Sequence, residues 1–144
     1  MIALWVAAHY FRRDLRYIGF NGTGKQVRDF LHIDDLADLV LDQVRNIARY
    51  AGRLFNVGGG VPCSLSLREC TELCREITGN EISVSPVAEN RPADLRIYIS
   101  DCDAVSEISG WAPKRDARHT LSSLYDWIRA HEATVKPVLL GSMA

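Results

Sequence analysis

The chain has 144 residues, 47% of them hydrophobic and 24% charged, the usage of an ordinary globular domain large enough to bury its own core. Seventeen basic and 18 acidic residues leave a net charge of -1, so no basic field exists for bulk nucleic-acid binding. Any anionic ligand must be held locally, by a few placed arginines.

The apolar run Ile2 to Ala8 is too short for a membrane span and carries no signal-peptide cleavage pattern. Up to Arg13 it reads as a helix, with Ile2, Val6 and Tyr10 on one side and Arg12-Arg13 at its C-terminal end. Leu15 to Phe20 reads as a short strand, Asn21 to Gly24 as a turn and Val27 to Ile33 as extended chain. A helix then opens at Asp34 or Asp35. Its expected apolar stripe is Leu36, Leu39, Val40, Val44 and Ile47, with Asp35, Asp38 and Asp42 on the wet face. Arg53 to Val57 is a predicted strand that empties into Gly58-Gly59-Gly60.

Ser66-Leu67-Arg68-Glu69 is a capping box, launching a helix to about Thr78 that Gly79-Asn80 stops. Cys70 and Cys74 lie on its apolar stripe with Leu67 and Ile77. With Cys63 and Cys102 they match neither a C-x-x-C pair nor zinc-finger spacing, so they read as buried thiols of a cytoplasmic protein, without metal. Ile82 to Ser85 alternates as a strand ended by Pro86. Arg91 to Asp94 is a loop and Leu95 to Ile99 another strand. Asp101 or Asp103 caps a short helix ending at Gly110, and Trp111-Ala112-Pro113 leads to a last helix from His119 to Ala133. The expected domain is 1–135, with a disordered tail over 136–144. Five helices among short strands indicate an α/β fold.

Gly19 to Lys25 nearly satisfies the phosphate-loop pattern G-x-x-x-x-G-K-[ST]. Gln26 stands where the hydroxyl should be, and extended chain follows where a helix must begin. No G-x-G-x-x-G occurs. None of the five tyrosines is followed four residues later by lysine; Tyr125 with Arg129 comes nearest. His9, His32, His119 and His131 are scattered and form no nucleophilic grouping. Arg28 sits on extended chain after the glycine turn, where its planar fork suits a diphosphate. From spacing alone, a structural pair with Asp29 or Asp34 is the stronger reading. Arg91 and Asp94 repeat the theme on a proline loop: arginine can grip phosphate oxygens, and a carboxylate can accept both hydroxyls of a ribose.

Three segments occur here in a set order: Gly22 to Asp35 (G-x-G-x-Q-x-R-D-F-x-H-I-x-D), Phe55 to Gly59 (F-N-V-G-G), and Arg91 to Asp94 (R-P-x-D) with Asp101 to Pro113 following. In that order they resemble the carboxy-terminal, substrate-binding half of the NAD-dependent epimerase/dehydratase family, the extended short-chain dehydrogenases/reductases. Finer likeness, at Gly24 to Asp29, Asn56 to Gly60, Ser64 to Leu67 and Tyr125-Asp126-Trp127, points to the CDP-paratose 2-epimerase branch. The resemblance implies a substrate-binding portion of an extended Rossmann-type epimerase. Arg28 and Arg91 would hold the diphosphate, and Asp94 the ribose, of a CDP- or UDP-linked sugar. It implies NAD as cofactor. A homodimer is expected because the strand at Arg53 to Val57, which in the family adds to a larger sheet, is left with an unpaired edge. Because the glycine fingerprint and the Tyr/Lys pair belong to the family's amino-terminal half, the chain reads as a truncated frame or fragment, inactive alone. The alternative is a non-catalytic remnant serving as an oligomerising or protein-interaction domain.

Overall fold

The computed structural model describes residues 2–141. Helix α1 (Ile2–Tyr10) leads to strand β1 (Leu15–Ile18), a 3-10 turn at Phe20–Gly22, strand β2 (Val27–Asp29) and helix α2 (Ile33–Arg45), which breaks at Asn46 into the single turn α3 (Ile47–Tyr50). Strand β3 (Ser64–Ser66) runs into α4 (Leu67–Thr78), then β4 (Val84–Val87), β5 (Ile97–Tyr98), α5 (Asp103–Ser109), α6 (Ala117–Ala130) and α7 (Glu132–Gly141). Two small sheets result. In one, β1 pairs with β4 in parallel; in the other, β2 lies between antiparallel β3 and parallel β5.

The main core is helical. Helix α1 is apolar on all sides because it is covered on all sides: Trp5, Val6, Ala7 and Ala8 are buried with Cys70 and Cys74 of α4 and Leu121 and Ile128 of α6. Its two buried polar side chains are satisfied within the protein, Trp5 Nε1 donating to Thr71 Oγ1 (2.9 Å) and His9 Nδ1 bonding Trp5 O (2.8 Å). A smaller core joins Leu39 of α2, Tyr50 and Val105 of α5 with Phe55 and Trp111.

The mixed α/β class and all five expected helices are present, with α3 and α7 in addition. The capping box forms as read: Ser66 Oγ accepts from Glu69 N (3.2 Å) and Glu69 Oε2 from Ser66 N (2.8 Å), while Gly79 closes α4 in the left-handed region. Cys70 and Cys74 are free, fully buried thiols, and hydrogen bonding between them together with burial pushes Cys74 upward.

Five details depart from the sequence reading. Helix α2 opens one residue early, capped by His32, whose Nδ1 accepts from Asp34 N (3.1 Å). Its buried side is not the expected one: Asp35 and Leu39 face inward, while Leu36, Val40, Val44 and Ile47 face solvent. Arg53 to Val57 forms no strand among the described residues, since no neighbouring strand offers it a ladder, and Leu54 is 97% exposed. Pro86 lies inside β4 rather than ending it. It is tolerated there because β4 is an edge strand, on which a missing N–H costs no ladder bond. The residues expected to trail off after 135 are helical through Gly141 despite Pro137; Val135 and Leu139 pack on the core and Tyr10 Oη donates to Glu132 (2.7 Å). The remainder of that tail, 142–144, lies outside the described residues.

Candidate functional site

Strand β2 is the central strand of its sheet, and its alternation decides what each side chain can reach. Arg28 and Asp29 are adjacent, so they point to opposite faces and cannot pair with each other. Asp29 Oδ2 accepts from Gly60 N (3.0 Å), anchoring the glycine run beneath the strand. Arg28 turns the other way, toward the loop between β4 and β5. Its Nη2 lies 2.8 Å from Asp94 Oδ1 and 2.5 Å from Leu95 O, and Nη1 bonds Val27 O (2.7 Å). The pairings expected with Asp29 or Asp34 are therefore replaced by one with Asp94, 66 residues away.

Both members are about a quarter exposed, 26% for the Arg28 side chain and 23% for Asp94. Of the five guanidinium N–H donors, three are used in these bonds, which leaves Nε–H and one Nη1–H for a ligand. Asp94 Oδ2 likewise accepts no bond among the described residues. Arg91 stands three positions before Asp94 in the same loop, exposed, with its carbonyl accepting from Asp94 N (3.2 Å). Its side chain forms no ion pair among the described residues. Ala93 between them has φ 59°, a left-handed conformation uncommon for a residue with a Cβ. Arg28 and Asp94 thus meet directly, and Arg91 is tied to Asp94 through the backbone of the same loop. The ensemble can offer guanidinium groups to an anion and a carboxylate oxygen to hydroxyls.

A second charge pair, with a buried carboxylate, was not foreseen from the sequence. Asp35 is 1% exposed, receives Arg115 Nη1 (2.6 Å) on Oδ1 and Arg115 N (3.1 Å) on Oδ2, and its own carbonyl accepts from Trp111 Nε1 (3.0 Å). Burial pushes this carboxyl upward, but the Arg115 backbone and guanidinium donors outweigh burial and hold it below the usual range. The signal available in the sequence was only the acid run Asp34-Asp35; nothing local names its partner 80 residues later. Asp42 is held low chiefly by the Tyr50 hydroxyl, then by Asn46 and Arg49, with burial opposing them. No grouping of metal-ligating side chains occurs among the described residues, and no helix is long and apolar enough to cross a membrane.

The Gly58–Gly60 run is not an open cradle for a dinucleotide. A Cβ at Gly58 would strike Ser100 Oγ and the Asp29 carboxylate, and one at Gly59 would strike the Phe30 carbonyl. At Gly58 and Gly59 the missing side chains make room for the chain's own atoms, so nothing at these two positions fits an NAD site.

Comparison with known proteins agrees with this architecture. Residues 1–58 match the NAD dependent epimerase/dehydratase family. CDP-paratose 2-epimerase of Salmonella typhi is 33% identical over 109 residues, covering 74% of this chain and 31% of that protein. dTDP-glucose 4,6-dehydratase of Streptomyces antibioticus is 34% identical over 118 residues, covering 81% and 34%. The chain therefore spans about a third of the length of these curated relatives. In fold it is similar to UDP-glucuronic acid 4-epimerase from Bacillus cereus, in complex with UDP-glucuronic acid and NAD (TM-score 0.77, 20% identity, 90% of this chain and 40% of that one). A like match is UDP-glucose 4-epimerase of Thermotoga maritima with UDP-glucose (TM-score 0.69, 22% identity, 91% and 40%). Over part of its relatives' length, the chain is a member of the NAD dependent epimerase/dehydratase family.

Proposed function

We propose that this chain is the nucleotide-sugar-binding part of an NAD-dependent nucleoside-diphosphate-sugar epimerase, with a CDP-linked sugar of the paratose type as first candidate and UDP-sugars as second. The observation that carries this reading is the meeting of Arg28 with Asp94, with Arg91 on the same loop. Arg91 and the free donors of Arg28 suit a diphosphate, and the free oxygen of Asp94 suits ribose hydroxyls. The likeness to CDP-paratose 2-epimerase supports the choice of base. NAD would be held by residues other than those described, and the chain alone is expected to turn over no substrate.

Calorimetry with CDP- and UDP-sugars tests the reading. Arg91→Ala is the cleaner variant, because that side chain holds no ion pair of the fold among the described residues. Its loss should weaken binding by about 1.5–3 kcal/mol. Arg28→Ala should weaken binding further, since it also unties the Asp94 loop. Binding of equal strength in Arg91→Ala and the unaltered chain counts against the assignment, as does no binding of any nucleotide sugar.

A second reading, a domain whose business is association, is favoured by one observation. Val40, Val44 and Ile47 are all exposed and line one hollow with Tyr50 and Phe55, an apolar surface of the kind that marks an association site.

A further inference from the structure

The turn joining β1 to β2 nearly matches a phosphate loop in sequence, from Gly19 to Lys25, and its backbone shares the feature that lets such loops hold anions. Gly22 has φ 64°, Thr23 φ -82° and ψ -12°, and Gly24 φ 68°. Consecutive residues of opposite hand turn their N–H groups into one concavity, a nest for an anion. Thr23 and Gly24 form such a pair, and the N–H groups gathered are those of Thr23, Gly24 and Lys25. Gly24 N and Lys25 N donate to no acceptor among the described residues, although Gly24 is buried. An N–H left without an acceptor in a buried place is rare, and it marks a position for water or a ligand.

The concavity is set before any ligand arrives. A Cβ at Gly22 would lie 2.4 Å from Pro86 Cβ, and one at Gly24 3.0 Å from the Tyr17 ring, so fixed neighbours hold both glycines in place. Arg68 N donates to Gly24 O (2.9 Å), which brings the start of α4 against the turn. Charge favours an anion. Lys25 is exposed and forms no ion pair among the described residues, and exposed Arg68 has a long one, 3.7 Å, with Glu72. Gln26 offers no hydroxyl to Mg2+, and a strand follows where a nucleoside-triphosphate loop needs a helix. The chemistry left is that of a free or singly esterified phosphate, not of a magnesium-bound triphosphate.

We propose that Thr23, Gly24 and Lys25 form a site for a tetrahedral phosphate dianion, with the N–H groups of Gly24 and Lys25 as donors and the Lys25 and Arg68 side chains as charge. The site is separate from the Arg28–Asp94 pair: Lys25 lies three residues, roughly 10 Å of extended chain, before Arg28. It needs no nucleotide sugar to form.

The test is an NMR titration of the full 144-residue chain, labelled with the heavy nitrogen isotope, with inorganic phosphate and separately with methyl phosphate. The amide signals of Gly24 and Lys25 should move together and saturate, with a dissociation constant on the order of millimolar. Lys25→Ala should weaken the binding about fivefold, with far-UV circular dichroism unchanged because Lys25 is exposed. Arg91→Ala should leave it as it was. Binding of both probes assigns a phosphoryl group and binding of inorganic phosphate alone the free ion; either upholds the site. Signals that stay still at tens of millimolar phosphate overturn it. So do signals that chloride of equal ionic strength moves as far, which would mean general screening, and a titration that Lys25→Ala leaves unchanged or Arg91→Ala abolishes. The last of these would put the anion at the nucleotide-sugar loop, so failure here is distinct from failure of sugar binding.

Discussion

Asp35 shows how one buried residue can join two segments far apart in sequence. It ties α2 to the Trp111–Arg115 stretch through a guanidinium, a backbone N–H and the indole. Asp35→Ala leaves Arg115 without its closest partner; the guanidinium is 27% exposed, so water offsets part of the loss, and a cost of about 2–3 kcal/mol is expected in urea unfolding. Its pH dependence has a definite sign. The folded pKa is depressed, so the contribution is complete above the unfolded value of about 3.9 and disappears as pH falls through the lower folded value. Stability lost below about pH 4 should be smaller in Asp35→Ala than in the parent chain. At this scale little was legible. Arg28 and Asp94 were each singled out, and the resemblance set them about one ligand, but the direct ion pair between them was not read, because strand alternation and a 66-residue separation decide it. Asp35 was placed on the wrong face because its partner is remote in sequence.

At the level of elements, local chemistry was a good guide wherever the element is locally determined. Helix α4 begins and ends where its capping box and Gly79 dictate. Ser66→Ala removes the acceptor for Glu69 N and should cost about 1 kcal/mol, read as a lower thermal midpoint. Gly79→Ala should cost about 1 kcal/mol, because φ of 69° suits a residue without Cβ. Elements that depend on a neighbour were less legible. The segment 53–57 has strand composition but no partner ladder, and the stripe on α2 follows helical spacing yet faces water. In both, the pattern records a surface meant to be covered, and the described residues do not cover it. Pro137 reads as a breaker, yet burial of Val135 and Leu139 holds α7 together.

Across the whole molecule, the four cysteines are natural reporters of opening. Cys63, Cys70 and Cys74 are buried, and burial raises Cys63 further from its reactive thiolate form. Cys102 is only half-buried, its sulfur accepting from Gly58 N (3.2 Å). A thiol reagent should label one equivalent quickly, at Cys102, and the other three only at the rate of global unfolding. Rapid labelling of Cys70 or Cys74 in the native chain would mean that the α1–α4–α6 core opens locally.

The place of α1 within that core has a consequence for synthesis. Its nine residues leave the ribosome before the surfaces that shield them, which belong to α4 and α6. A ribosome must add roughly 120 more residues before Ile128 exists, about 6–24 s at ordinary elongation rates. For that interval neither α4 nor α6 can cover this short, mostly apolar segment. Trigger-type chaperones should therefore hold nascent chains stopped before α6 and let go of those that have passed it.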